Sequence, residues 1–324
     1  MDSLFPAVRG RFAPSPTGRL HLGNARTALL AWLHARAAGG RFVMRVEDLD
    51  RARVRPGYMQ AQLDDLRWLG LDWDEGPDVG GPHAPYLQSE READYAAAVG
   101  RLEAAGLLYP CFCSRREIAE AASAPHGPAD ESPRYPGRCR ERPPGSGGAG
   151  RPAALRFRAA PGRVGFRDLL QGDVAFDPEA ETGDFVVRRK DGVAAYQLAV
   201  VVDDAAMGIT HVVRGADLLP STARQLLLYR ALGLDPPAFL HVPLMLGADG
   251  ERLAKRHGAV SLAELREAGL APARVAGWLA STCGLAAPGE EVEARELVGR
   301  FAVERIPRGP TVVDDRALER LPAP

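Results

Sequence analysis

Three groups of residues in this chain have types and spacings suited to chemistry. The first is the run Arg11-Phe12-Ala13-Pro14-Ser15-Pro16-Thr17-Gly18-Arg19-Leu20-His21-Leu22-Gly23-Asn24. A turn dense in Pro, Ser and Gly opens there into a helical pattern. Backbone N–H groups at a helix start, with a histidine beside them, suit a nucleotide phosphate. The second is Arg252-Leu253-Ala254-Lys255-Arg256, behind the turn sequence Gly247-Ala248-Asp249-Gly250. Of the 41 Lys plus Arg only Lys190 and Lys255 are lysines, which sets Lys255 apart, since a compact ammonium and a planar guanidinium serve phosphates differently. The third is Cys111, Cys113 and Cys139 in one short segment, with Cys283 apart. Clustering of so few cysteines points to metal rather than to a disulfide framework. Three thiolates leave the fourth tetrahedral position open, and His126 inside the loop is chemically the more usual ligand.

These residues need elements to hold them. Residues 8–13 read as a buried strand and 24–38 as a helix, with Ala25, Leu29, Trp32, Leu33 and Arg36 on one stripe. A second strand at 41–47 and a helix bracketed by Pro56 and Gly70 follow. That alternation predicts an α/β fold with a parallel sheet of Rossmann type. A helix over 89–105 leads into the cysteine segment at 109–142, and the Pro/Gly-rich residues 143–150 read as a flexible surface linker. Residues 153–200 read as β-rich, with Asp191-Gly192 as a hairpin turn. A strand at 212–214, a helix over 221–232 and the apolar run 239–246 resume the α/β rhythm. Ser261-Leu262-Ala263-Glu264 fits a capping box, and helices over 272–283 and 290–301 follow it.

Composition bounds the function. With 324 residues, 46% hydrophobic and 26% charged, the chain has material for a large core plus an appendage. A formal net charge of −1 excludes a surface that is basic everywhere, and leaves room for a local RNA-binding patch. No apolar run is long enough to span a membrane, and Met1-Asp2-Ser3-Leu4-Phe5-Pro6 has neither a basic n-region nor an apolar h-region. A cytoplasmic monomer without membrane partners is expected.

The first run continues as Ala25-Arg26-Thr27, and in full it resembles the first signature of the class I glutamyl-tRNA synthetase family. Together with residues 252–256 it is similar to that family's signature pair. The resemblance implies activation of L-glutamate with ATP, accompanied by Mg2+. It assigns ATP to Pro14, Thr17, Gly18, His21, Gly23, Asn24, Arg252 and Lys255, and gives His21 and Lys255 the catalytic role of stabilising charge on the phosphates. Asn24 stands where the general signature has a second histidine, a variation of the glutamyl branch. Arg252 and Ala254 depart from a lysine and a serine in the second signature. Glutamate is assigned to Arg11, Ala13, Ser15, Glu47, Tyr196 and Arg214, with Glu47 on the α-amino group and the arginines on carboxylate. Cys111, Cys113, Tyr135 and Cys139 match a C-x-C…Y-x3-C pattern of zinc-carrying members, for one structural Zn2+ with the tyrosine oxygen as fourth ligand. His126 remains the rival for that position.

The resemblance covers residues 8–260. It implies a Rossmann-type catalytic core over 1–246, with the zinc-carrying insertion at about 109–190. Residues 247–324 are expected to form a signature loop and a helical stem-contact region, with no anticodon-binding domain. In this the chain is similar to the branch of the family that activates glutamate without tRNA and transfers it to the queuosine base at the wobble position of tRNA(Asp). Arg134, Arg138, Arg140 and Arg142, beside the cysteines, are then expected to touch the RNA. Two alternatives stand: a truncated glutamyl-tRNA synthetase charging a tRNA 3′ end, and a synthetase-like module without activity, for which the departures at Arg252 and Ala254 leave room.

Overall fold

A computed structural model describes residues 7–114, 116–118, 134–142, 150–251 and 260–313. It opens with β1 (Arg9–Phe12), α1 (Leu22–Ala37) and β2 (Arg41–Met44), the two strands parallel with Arg11 opposite Val43. α2 (Tyr58–Trp68) and α3 (Glu92–Ala104) follow. An insertion begins with β3 (Leu108–Cys111) and β4 (Ala154–Phe157), continues through the hairpin β5 (Val164–Asp168) and β6 (Gly172–Phe176) and the short α4 (Pro178–Glu181), and closes with β7 (Phe185–Arg188). β3, β4 and β7 form an antiparallel sheet in that order. α5 (Tyr196–Ala206), β8 (His211–Gly215), α6 (Leu219–Ala231) and β9 (Ala238–Val242) make the second half. β10 (Met245–Leu246), α7 (Leu262–Glu267), α8 (Pro272–Ser281), α9 (Ala294–Leu297) and β11 (Thr311–Val312) complete the described chain.

The parallel sheet expected from the sequence is present. β8 lies parallel to β9, β5 joins β9 in parallel at Asp168 and Phe239, and β6 closes the edge antiparallel to β5. β1 sits beside β8, where Thr210 donates its N–H to Arg9 O at 3.0 Å and Arg9 N–H bonds Thr210 Oγ1 at 2.8 Å. The carboxyl ends of β1, β2 and β8 therefore lie side by side, the place where open α/β sheets bind ligands.

Several elements differ from the sequence reading. α1 buries residues all round, from Leu22, Ala25 and Ala28 to Leu33 and Ala35, rather than one stripe. Helices α7 to α9 cover the face that would otherwise meet water, so Leu29 and Leu33 share one core with Leu240, Leu265, Leu279 and Leu297. Described residues on both sides of position 246 contribute to that core. The β-rich reading of 153–200 ends too late, because helix α5 starts at Tyr196. Its Val200-Val201-Val202 run favours strand intrinsically, but burial of Leu198, Ala199, Val200 and Val201 decides for helix. The apolar run 239–246 is broken by Pro243 into β9 and β10. The helix expected over 290–301 shrinks to α9 and a 3-10 turn, since Val292 N–H bonds Ala273 O at 3.0 Å and a box between Glu293 and Glu296 starts the helix late. The expected linker at 143–150 lies outside the described residues except for Gly150. Among the described residues no helix is long and apolar enough to cross a membrane.

Two glycines test this packing in opposite directions. A Cβ at Gly277 in α8 would come within 1.9 Å of Glu290 O, whereas one at Gly100 in α3 meets nothing within 4 Å. Gly277→Ala is expected to destabilise by about 1–3 kcal/mol, and Gly100→Ala to stabilise by about 0.5–1 kcal/mol. Urea unfolding midpoints of the two variants check both signs.

Candidate active site

The phosphate-type turn is braced from beneath. Gln62 of α2, buried, donates Nε2–H to Ser15 O at 3.1 Å and Gly18 O at 2.7 Å, and Thr17 N–H bonds Ser15 O at 2.8 Å. His21 precedes α1 in extended backbone, and its carbonyl accepts Ala25 N–H at 2.9 Å. The first turn of α1 itself holds no acidic residue, which suits an anion at its positive dipole end. Asn24 is exposed there, while a Cβ at Gly23 would meet Met245 Cβ at 4.0 Å. Pro14, Thr17, Gly18, His21, Gly23 and Asn24 thus lie along one turn and helix start.

Arg252 and Lys255, like Ala254, lie outside the described residues. Their flanks do not. Before them the expected turn forms, with Gly247 N–H on Glu251 O at 2.8 Å and Gly250 N–H on Gly247 O at 3.0 Å. After them Ser261 forms a β-bridge with His21, and Leu262 N–H bonds Leu20 O at 2.9 Å. The expected capping box is present, Ser261 N–H donating to Glu264 Oε2 at 2.7 Å and Glu264 N–H to Ser261 Oγ at 3.3 Å. The described chain therefore resumes beside the start of α1.

The residues assigned to glutamate converge at the sheet ends. Arg11, buried on β1, donates Nε–H to Asp204 Oδ1 and Nη1–H to Val213 O, both at 3.3 Å. Glu47, just past β2, is anchored by its N–H on Pro14 O at 3.0 Å, and its carboxylate accepts from Arg45 Nη2 at 3.3 Å. Arg214 on β8 bonds His241 Nε2 through Nε at 3.0 Å and Thr222 Oγ1 through Nη2 at 2.7 Å. Its Nη1 is buried without a hydrogen-bond partner among the described residues. Tyr196 exposes 38% of its surface, yet its phenol is held above the usual range by burial; Arg214 and Arg11 oppose the shift, and Glu47 and Asp204 add to it. Arg11, Glu47, Tyr196 and Arg214 are thus close enough to act on one another's charge, with Arg11 reaching Val213 O beside Arg214 on β8. Burial also raises the Glu47 carboxyl, against Arg45 and Arg11. Ala13 and Ser15 follow Arg11 on the same stretch, Ser15 exposed.

Sequence reading missed the groups behind this pocket. Arg45, wholly buried, bonds Asp204 Oδ1 at 2.6 Å. Its neighbour Asp203 accepts from Gln88 Nε2 and Arg91 Nε, each at 2.7 Å, and from Tyr95 Oη. Asp203-Asp204 directly after an apolar run was the available signal, since buried carboxylates need partners.

The cysteine segment assembles too. Cys113 Sγ lies 3.7 Å from Cys139 Sγ, and Cys111 Sγ lies 3.5 Å from Tyr135 Oη. A tetrahedral Zn2+ with ordinary bond lengths sets thiolates about 3.8 Å apart and a thiolate about 3.5 Å from an oxygen ligand. The three sulfurs lie within 4.8 Å of one another, so the donor set fits such an ion with Tyr135 as fourth ligand. Tyr135 Oη also accepts Cys139 N–H at 2.8 Å, which favours a phenolate, but burial, then Cys111, holds the phenol above its ordinary range; Arg156 stacks 3.8 Å over its ring. Burial, then Cys111, pushes the Cys113 thiol up to about 11 without a cation present. His126 lies outside the described residues. A cavity of about 600 Å³ runs from Cys113 past Arg156, Arg189 and Lys190 to Gln197 and Arg224.

The parallel sheet, the turn at α1 and the buried cations beside it define a nucleotide-using α/β enzyme of the class I synthetase type. The family profile described as "tRNA synthetases class I (E and Q), catalytic domain" matches residues 7–320. A "Glutamyl-Q tRNA(Asp) synthetase" from Symbiobacterium thermophilum is 58% identical over 316 residues, 96% of this chain and 98% of that one. A "Glutamate--tRNA ligase 2" from Acidithiobacillus ferrooxidans is 46% identical over 95% of this chain but 64% of its own length. Among solved structures, a glutamate tRNA ligase from Elizabethkingia meningosepticum, in complex with its amino acid, superposes with a TM-score of 0.83 at 30% identity, over 98% of this chain and 69% of that one. The chain belongs to the class I tRNA synthetase family of the E and Q type, in its glutamyl-Q tRNA(Asp) synthetase branch. It is a ligase of the aminoacyl-tRNA synthetase type that uses ATP.

The cysteine geometry makes a direct prediction. About one zinc per chain is expected in freshly purified protein, lost in Cys111→Ser and Cys139→Ser and weakened in Tyr135→Phe, with local loosening around β3. Metal analysis of the three variants measures this; zinc retained in Tyr135→Phe but lost in His126→Ala would transfer the fourth position to His126.

Proposed function

We propose that the enzyme condenses L-glutamate with ATP, accompanied by Mg2+, to glutamyl-adenylate without tRNA, and then passes the glutamyl group to the queuosine base of tRNA(Asp). In the first step an α-carboxylate oxygen attacks the α-phosphorus and pyrophosphate leaves. In the second, a hydroxyl of the modified base attacks the activated carbonyl and AMP leaves. The observation that carries the reading is the buried Nη1 of Arg214, without a hydrogen-bond partner among the described residues, near Arg11 and beside the sheet end where Glu47 follows β2. An isolated buried guanidinium N–H is costly, and a substrate carboxylate supplies its partner. Glu47, raised by burial against Arg45 and Arg11, would take the substrate ammonium as a further charge partner. Pro14, Thr17, Gly18, His21, Gly23 and Asn24 would line the phosphates, with Arg252 and Lys255 closing from the other side and His21 and Lys255 stabilising the charge that develops. The zinc would cross-link β3 to the segment around Cys139, a structural role.

The acceptor half of the proposal draws on the relative's name, on 98% coverage of its length, and on the basic cavity that ends at Gln197, beside Tyr196. Of the arginines expected to meet RNA, Arg140 is committed to Asp184 at 2.7 Å and Arg134 to Glu179 at 2.9 Å. Arg138 and Arg142 are exposed and carry the contact. Residues 1–246 act as the catalytic core and 247–324 as the signature loop and stem-contact region, although one hydrophobic core runs through described residues of both.

Activation is measured by pyrophosphate exchange. Exchange dependent on glutamate and independent of tRNA is expected, with glutamine poor because its amide leaves a buried guanidinium unpaired, a penalty of about 1–3 kcal/mol. His21→Ala and Lys255→Ala should each lower the exchange rate by about two orders of magnitude. Equal exchange with glutamine would refute the pocket assignment.

Transfer is measured with labelled glutamate. Queuosine-containing tRNA(Asp) should be labelled, even after periodate oxidation of its 3′ terminus, and tRNA(Asp) lacking queuosine should not. Charging of tRNA(Glu), or abolition by periodate, would instead establish a 3′-end glutamyl-tRNA synthetase.

A further inference from the structure

Behind Arg214 lies a chain of buried polar groups to which no role has been given. Asp168, at the end of β5, accepts His241 Nδ1–H at 2.7 Å and His241 N–H at 3.1 Å. It also accepts the N–H groups of Leu170 and Gln171 at 3.0 and 2.8 Å. With Nδ1–H committed to this carboxylate, the neutral imidazole of His241 presents Nε2 as an acceptor, and Arg214 Nε–H occupies it at 3.0 Å. Thr222 Oγ1 lies 3.1 Å from the same Nε2 and accepts Arg214 Nη2–H at 2.7 Å. Asp168, His241 and Thr222 are at most 1% exposed, and Arg214 4%.

We propose that His241, oriented by Asp168, is a positioning residue for glutamate activation: it fixes the Arg214 guanidinium by its Nε edge so that Nη1 faces the substrate carboxylate. The inference rests on the reading of Arg214 as a substrate arginine and adds the device that holds it. Two of the three nitrogens are anchored, Nε by His241 and Nη2 by Thr222, and a planar group anchored at two points has its third direction set. Protonated His241 would turn Nε2 into a donor facing a donor. Burial holds the imidazole below its ordinary range even with Asp168 beside it and Asp217 nearby, and Arg214 acts in the same direction as burial. The rings of Phe166 and Phe239 lie with their centroids 6.3 and 6.0 Å from that of the imidazole. Asp168 stays below the usual carboxylate range in spite of burial, because His241 and two backbone N–H groups bond it.

Paired substitutions separate positioning from packing. His241→Asn keeps a donor toward Asp168 and loses the acceptor for Arg214; His241→Gln places an amide oxygen near the Nε2 position. In pyrophosphate exchange, His241→Asn should raise the KM for glutamate by about 10–100-fold while leaving the KM for ATP unchanged. His241→Gln should recover most of that loss. An unchanged glutamate KM in His241→Asn, or equal defects in both variants, would overturn the proposal. Nitrogen NMR of the wild-type imidazole provides a readout that needs no variant: a protonated Nδ1 and an unprotonated Nε2 are expected at neutral pH, and the opposite tautomer overturns the proposal. A wild-type enzyme without glutamate-dependent exchange would refute the glutamate reading instead, with the tautomer still deciding how Arg214 is held.

Discussion

The site depends on two adjacent carboxylates at the end of one helix. Asp203 and Asp204 of α5 are buried, and between them they bind Arg11 from β1, Arg45 from the end of β2 and Arg91 from the start of α3. Burying acids or arginines alone would be prohibitive; bonded together they are tolerable and highly directional. Asp204 is held below the ordinary carboxylate range in spite of burial, by Arg11 and Arg45. Removing either acid would leave guanidinium groups uncompensated in the interior, and the ends of β1 and β2 would lose their common anchor. The first and second halves of the sheet meet in this lattice, so binding geometry and fold are specified by the same contacts.

Local patterns made much of this readable in advance. The first strand, α1, β2 and the capping box at Ser261 follow from apolar spacing and cap chemistry, which act over a few residues. The convergence of Arg11, Glu47, Tyr196 and Arg214 was legible through family resemblance alone, because those residues are far apart in the chain. What stayed hidden depended on tertiary burial. α5 reads as strand from its valines, and is a helix whose Leu198 and Val201 pack against α3, α6 and β7 while Asp203 and Asp204 are buried beside the arginines. α1 reads as amphipathic because its second buried face is covered by helices placed far later in the sequence. His241 sits in an apolar run where a histidine looks like filler, and its partners come from three other elements.

The sheet of β3, β4 and β7 obeys a different constraint. It is antiparallel, while β5 and β6 join the parallel sheet, and the small core beside it, around Tyr109, Cys111, Ile118, Tyr135 and Cys139, is little more than the cysteine cluster itself. Arg140 and Tyr109 both reach Asp184, and Arg156 bonds Asp184 O, so charge contacts knit the segment to β7 where apolar area is scarce. A metal with three thiolates and a phenolate would supply the cohesion that such a small unit lacks.

The cations of the pocket are all arginines, and an arginine does not escape burial by losing its proton. A lysine at the position of Arg214 could turn neutral there. Arg214, with Nη1 unpartnered among the described residues, keeps its charge across the ordinary pH range instead. Small inorganic anions are therefore expected to compete with a carboxylate for it, which makes the choice of counter-ion in a buffer a variable of the enzyme itself rather than of its surroundings.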